Sequence, residues 1–262
     1  MERIQSSDGT PIAFDRSGEG PPVILVPGLF QHRAIDPGTA ALAALLAPRF
    51  TVFHYDRRGR GDSGDSAPYA VEREVEDLGA LIDAAGGAAA LYGMSSGGAL
   101  ALEAAARGLA VTRLAVYEPP FTDDEGTIEP SEELAAGVAE LVEAGRPGDA
   151  VALFMTSSGV PTEAVTQMRQ APFWAGLESV AHTMPYDLTL MGDTTLLSDR
   201  APTIAVPTLV LDGGASEPWG RRSADVVAAA VPGAERRTLE GQTHEVAAEP
   251  LAPVLAEFLG RS

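Results

Sequence analysis

The chain alternates between short apolar runs and longer stretches in which apolar residues return every three or four positions. A run of about four to eight apolar residues bounded by Gly or Pro has the length of a buried strand, and the longer repeat is that of an amphipathic helix. Val23–Val26 thus precedes a helix near Thr39–Leu46, Thr51–Tyr55 one near Val71–Ala85, and Ala88–Tyr92 one near Ser96–Arg107. Thr112–Glu118 reads as another strand. Pro207–Asp212, a helix near Gly220–Ala230, Glu235–Leu239 and a helix near Ala247–Leu259 close the series. At the start, Arg3–Ser6 and Ile12–Arg16 flank Asp8-Gly9, a β-hairpin signature. Strands alternating with helices predict an α/β fold whose mostly parallel sheet is covered on both faces.

Between Pro119 and Ala205 the alternation stops. Glu129–Glu143 and Pro161–Met168 carry helical patterns, and the segment also holds Trp174 and several prolines. Structureless connections beyond about 15 residues are uncommon. The spacing therefore predicts a helical cap over 119–205, above the carboxyl ends of strands supplied by a core of residues 1–118 and 206–262.

Composition removes whole classes of chemistry. All 18 cations are Arg, against 37 Asp and Glu, for a net charge of −19, and there is no Cys. A chain without Lys forms no Schiff base and completes no G-x-x-x-x-G-K-[ST] phosphate loop. Without Cys there are no thiol nucleophiles, disulfides or thiolate metal sites. The acidic balance argues against a nucleic-acid partner, and 45% hydrophobic content is ample for a core. The charged, polar N-terminus has no signal-like apolar region, and the uncharged run Ala84–Leu102 is broken by five glycines. A cytoplasmic protein with no membrane partner is the expectation. Four histidines, at 32, 54, 182 and 244, are the groups that titrate near neutrality unperturbed. They lack metal-ligand spacing, so no metal is expected.

After Ala88–Tyr92 the chain reads Gly93-Met94-Ser95-Ser96-Gly97-Gly98, and a helical pattern begins at once. This is G-x-S-x-G between strand and helix, a sharp turn that lifts the Ser95 hydroxyl above the sheet at a helix amino end.

Four segments together resemble the α/β-hydrolase superfamily over nearly the whole chain. Val23-Ile-Leu-Val-Pro-Gly-Leu29 resembles its strand and oxyanion loop, and Asp56-Arg-Arg-Gly-Arg-Gly-Asp-Ser63 its D-x-R-G-x-G-x-S turn. Gly93–Gly97 resembles the nucleophile elbow, and Gly241-Gln-Thr-His244 the histidine loop. The resemblance implies Ser95 as nucleophile, His244 as general base, and the backbone N–H groups of Leu29 and Ser96 as the oxyanion hole. His244 also follows the last predicted strand, at the edge where parallel sheets present ligands. The Asp56–Ser63 turn is expected to brace the loop through an Asp/Arg/Gly network.

The family's usual acid position falls in Gly213-Gly214-Ala215-Ser216-Glu217 and holds Ser216. Three carboxylates can substitute. Glu118 comes first, because it ends a strand and is followed by Pro119-Pro120, which should hold it extended. This placement resembles that of zearalenone-lactonase-like enzymes, with their Ser-Ser-Gly elbow and Glu-x-Pro turn. Asp212 lies one residue before Gly213 and Glu217 one residue late. A dyad without an acid is the remaining alternative.

His54 is expected in the core. His32 either touches substrate or is solvated, and Trp174, His182 and Tyr186 are expected to face the nucleophile from the cap. The resulting expectation is a cofactor-independent serine hydrolase acting on a small-molecule carboxylic ester or lactone. The same groups support carbon–carbon bond hydrolysis or cofactor-free perhydrolysis. Dehalogenase and epoxide hydrolase chemistry is disfavoured, since those branches carry Asp where this chain has Ser95. A non-catalytic small-molecule-binding protein is the rival favoured by the missing usual acid. A homodimer is left open.

Overall fold

The computed structural model describes residues 1–121, 132–193 and 195–261. The strands are β1 (Glu2–Gln5), β2 (Pro11–Ser17), β3 (Pro22–Val26), β4 (Thr51–Tyr55), β5 (Ala89–Met94), β6 (Val111–Tyr117), β7 (Thr208–Gly213) and β8 (Glu235–Leu239). They form one sheet in the order β1-β2-β4-β3-β5-β6-β7-β8. The β1–β2 and β2–β4 pairings are antiparallel and the rest parallel. The hairpin, the strand order along the chain and the parallel majority follow the sequence pattern.

The longer described helices are α1 (Pro37–Leu46), α2 (Val71–Ala84), α3 (Ser96–Ala106), α4 (Glu132–Glu143), α5 (Pro147–Ser157), α6 (Thr162–Met168), α7 (Trp174–Val180), α8 (Met184–Met191), α9 (Pro218–Ala230) and α10 (Ala248–Leu259). Each central strand is apolar on both faces because both are covered. Val23 and Leu25 of β3 join α1 and α10 in one cluster, while Ile24 and Val26 join α2, α3 and α9 in another. Among the described residues no helix is long and apolar enough to cross a membrane.

Between β6 and β7 the described chain is helical. The expected helix Glu129–Glu143 is α4, with Glu129–Ser131 outside the described residues. Helices α5, α7 and α8 carry no distinct sequence signal, because Pro147 and Pro185 read as breaks. In the fold both prolines sit in the first turn of a helix, where a missing N–H costs nothing. Val138, Val151, Val165, Trp174, Met184 and Leu188 form a separate core here, and Leu29 and Phe30 pack against it from the loop after β3. The insertion is thereby fastened to the edge of the sheet where the parallel strands end.

Candidate active site

Four loops meet at that edge, leaving β3, β5, β6 and β8. The turn after β5 puts Ser95 at φ 53°, ψ −126°, a region an L-residue occupies only when its surroundings impose it. Small neighbours make this possible: a Cβ on Gly97 would lie 2.3 Å from Val26 O, and one on Gly93 2.3 Å from Gly97 O. The amide of Ser95 donates to Tyr117 O at 2.9 Å. Ser96 then starts α3, and its N–H is one of the donors a helix amino end leaves without an internal acceptor.

The loop after β3 is held from two sides. Gln31 Oε1 accepts the Gly28 amide at 2.6 Å, while the Arg60 guanidinium donates to Gly28 O at 2.7 Å. Phe30 adopts φ 67° and meets Phe154 of α5 edge-on, with ring centroids 5.8 Å apart.

Glu118 follows β6 and is fully buried. Its Oε2 meets His244 Nδ1 at 2.8 Å and its Oε1 accepts the Gly213 amide at 2.8 Å. The expectation that Pro119-Pro120 would hold it extended is corrected by the backbone, which turns to φ 42°. The amide of Glu118 completes the ladder to Leu211 O, and the left-handed turn then swings the side chain across β7 toward the histidine loop. Gly220 of α9 leaves room for it, since a Cβ there would lie 2.6 Å from the Glu118 carboxyl carbon. Burial pushes this carboxyl up, and His244, the nearby Ser216 hydroxyl and the Gly213 amide together outweigh it, holding Glu118 below the ordinary glutamate range. The Ser216 hydroxyl is itself buried without an aligned hydrogen bond, so the imidazole and the Gly213 amide are the contacts with hydrogen-bond geometry.

The other two carboxylates point elsewhere. Asp212 Oδ1 accepts from Thr238 Oγ1 at 2.9 Å on the neighbouring strand, and burial raises its pKa. Glu217 is exposed at the amino end of α9. His244 is steadied by Tyr117, whose hydroxyl donates to Thr243 O at 2.6 Å, and by the Trp219 ring, edge-on at 4.7 Å. Sequence reasoning missed Trp219, although Pro218-Trp219-Gly220 at a helix start was a signal available to it.

Ser95 and His244 line one cavity of about 950 Å³, with Leu29 at its wall. Phe30, Phe154, Phe173, Leu177 and Trp219 line it, as do four of the six methionines, Met94, Met155, Met168 and Met191. None of the four candidate substrate contacts, His32, Trp174, His182 and Tyr186, is among the lining. His32 is buried beside its own loop, where Nδ1 accepts the Ala34 amide at 3.4 Å and burial lowers its pKa. Trp174 is buried inside the insertion and donates to Glu178 at 2.9 Å. His182 is exposed. Tyr186 stacks on Tyr69 at 4.0 Å and donates to Asp65. An amphipathic insertion must bury aromatics somewhere, and these two pack against protein rather than against the cavity. His54 is buried in β4, as expected. Among the described residues no three acidic or histidine side chains converge as a metal site.

The Asp56–Ser63 turn forms a second ionic assembly behind the elbow. Arg57 makes paired bonds to Glu74 at 2.8 and 2.6 Å and reaches Asp187 of α8 at 2.6 Å. Arg60 also bonds Asp187, and Arg57 touches Ser96 Oγ and Pro27 O at 3.4 Å. All four charged side chains are buried.

Comparison with known proteins places the fold. Residues 23–257 match the model of the alpha/beta hydrolase family. The chain belongs to that family and is an enzyme of this fold, as the resemblance of its four segments implied. An alpha/beta hydrolase from Sphaerobacter thermophilus is 56% identical, with a TM-score of 0.91 and coverage of 98% of this chain and 99% of that one. A thermophilic esterase from Thermogutta terrifontis is 25% identical, with a TM-score of 0.76, covering 99% and 98% respectively. The polyketide synthase ThaQ of Burkholderia thailandensis is 36% identical over 106 residues, 40% of this chain and 5% of that much longer protein.

Proposed function

We propose that the chain is a serine hydrolase cleaving a carboxylic ester or lactone through an acyl-enzyme on Ser95. In this reading His244 takes the Ser95 proton as the hydroxyl attacks the carbonyl, and the amides of Leu29 and Ser96 receive the oxyanion. His244 then protonates the leaving oxygen and activates the water that releases the acid. Glu118 fixes the tautomer of His244, with Nδ1 protonated toward the carboxylate, and balances the imidazolium as it forms. Residues 119–205 act as the cap that shapes the substrate cavity.

The single observation carrying this reading is the 2.8 Å contact between the buried Glu118 carboxyl and Nδ1 of His244, which lines the cavity together with Ser95. In this reading Glu118 takes the part of the acid whose usual position holds Ser216, the feature that had favoured a non-catalytic binder. Labelling with a fluorophosphonate probe tests it. The wild type is expected to be labelled and to turn over short p-nitrophenyl esters, and Ser95→Ala to do neither. An unlabelled, inactive wild type would overturn the reading.

A further inference from the structure

Among the described residues that line the cavity there is no Arg to serve as counter-charge for an anion. The ionisable groups among these residues are His244 and Glu245, and none of the 18 arginines lines the cavity. The undescribed residues 122–131, Thr194 and Ser262 include no Arg, and the chain has no Lys, so no cation can come from them. Nearby guanidinium groups are already engaged: Arg57 and Arg60 are buried against Asp187 and Glu74, and Arg169 pairs with Asp149 at 2.8 Å while lying over the Trp174 ring. Resting on the hydrolase reading above, we propose that this enzyme selects uncharged ester or lactone substrates and discriminates against those carrying a free carboxylate, with Glu245 sharpening the choice.

The physical case has three parts. A carboxylate moved from water to a wall of Phe, Leu and Met loses hydration that only a cation or several donors could replace. Ser157 and Ser158 offer hydroxyls at that wall, and Gln31 an amide already engaged with Gly28 and Met94, enough for a carbonyl or ether oxygen but not for a full charge. Glu245, next to His244 on the cavity wall, and the net charge of −19 add a repulsive field at short and long range. The same field aids turnover. Water adds across the acyl bond to give an alcohol and a carboxylic acid, the acid gives its proton to solvent, and the resulting anion is held poorly by the site that bound its neutral precursor.

The test compares three substrates of one chain length: p-nitrophenyl hexanoate, the mono-p-nitrophenyl ester of adipic acid, and that adipate with its free end capped as a methyl ester. At pH 8 and low salt, kcat/KM for the hexanoate should exceed that for the free adipate by about 100-fold, a gap set by desolvation of the carboxylate. The capped adipate should fall within about tenfold of the hexanoate, since charge rather than length is read. Glu245→Gln should narrow the gap by about three- to fivefold, and added salt should shrink that increment. Leu177→Arg, which sets a cation in the wall, should narrow it further. Turnover of hexanoate and free adipate within threefold of each other would overturn the inference and leave the esterase reading standing. Turnover of none of the three would sink both.

Discussion

Two ionic assemblies flank Ser95, and they are built to opposite ends. On one side a single buried carboxylate, Glu118, meets a histidine that is one-third exposed and lines the cavity. On the other, Arg57, Arg60, Glu74 and Asp187 are sealed from solvent and paired with one another. Burial would push the Asp187 carboxyl up, but Arg57 and Arg60 hold it below its usual range. Guanidinium groups do not release protons at any working pH, and none of the four side chains is among the cavity's lining residues, so the cluster stands apart from the cavity. It joins α8 to the backbone of Pro27 and Gly28, and so holds the loop after β3 from behind. The contrast is one of exposure and pairing: the Glu118 carboxylate meets an imidazole that opens on the cavity, whereas the arginine cluster is closed on itself and fixes geometry.

That division can be broken experimentally. The largest stability effect is expected from Asp187→Ala, which leaves Arg60 without its carboxylate and strips Arg57 of one of two. Uncovering a buried charge in this way costs about 3–5 kcal/mol, read as a lower midpoint in urea unfolding. Any loss of kcat should be small beside that of a residue that moves protons. Trp219→Ala should cost less, about tenfold in kcat/KM, by removing an edge-on contact worth roughly 1 kcal/mol that steadies the His244 ring. A normal unfolding midpoint for this variant would localise the effect to the ring.

The smallest effect is a matter of pH. Because Glu118 is held below the ordinary glutamate range in the folded protein, its ionised form stabilises the fold above about pH 4.3. That contribution is lost as pH falls through the lower folded value. The stability difference between wild type and Glu118→Gln should therefore be flat near neutrality and shrink only in acid. A difference that instead grows as pH falls would contradict the ionised assignment.

How much of this was legible beforehand depends on how local each feature is. The elbow around Ser95, the hairpin around Asp8-Gly9 and the strand–helix alternation are written in adjacent residues, and the fold follows them. Glu118 could be singled out from its position at a strand end, but not its conformation. The left-handed turn arises from contacts to Leu211, Gly213 and His244, far away in sequence. In the insertion, periodicity showed that helices existed, yet not which side of them faced the cavity. Trp174 and Tyr186 accordingly turned out to pack on protein, while Phe154, Phe173 and the methionines line the space. Asp187 gave no signal at all, because its meaning comes from Arg57 and Arg60, 130 and 127 residues away along the chain.

The central claim is that Glu118 is the acid that orients His244, and kcat for p-nitrophenyl butyrate in two variants tests it most directly. Glu118→Gln should lose about three to four orders of magnitude, as expected when the base is held in the wrong tautomer. Asp212→Asn should stay within about tenfold of wild type, since Asp212 bonds Thr238 instead. Retention of activity within tenfold by Glu118→Gln, or an equal collapse in Asp212→Asn, would contradict the account.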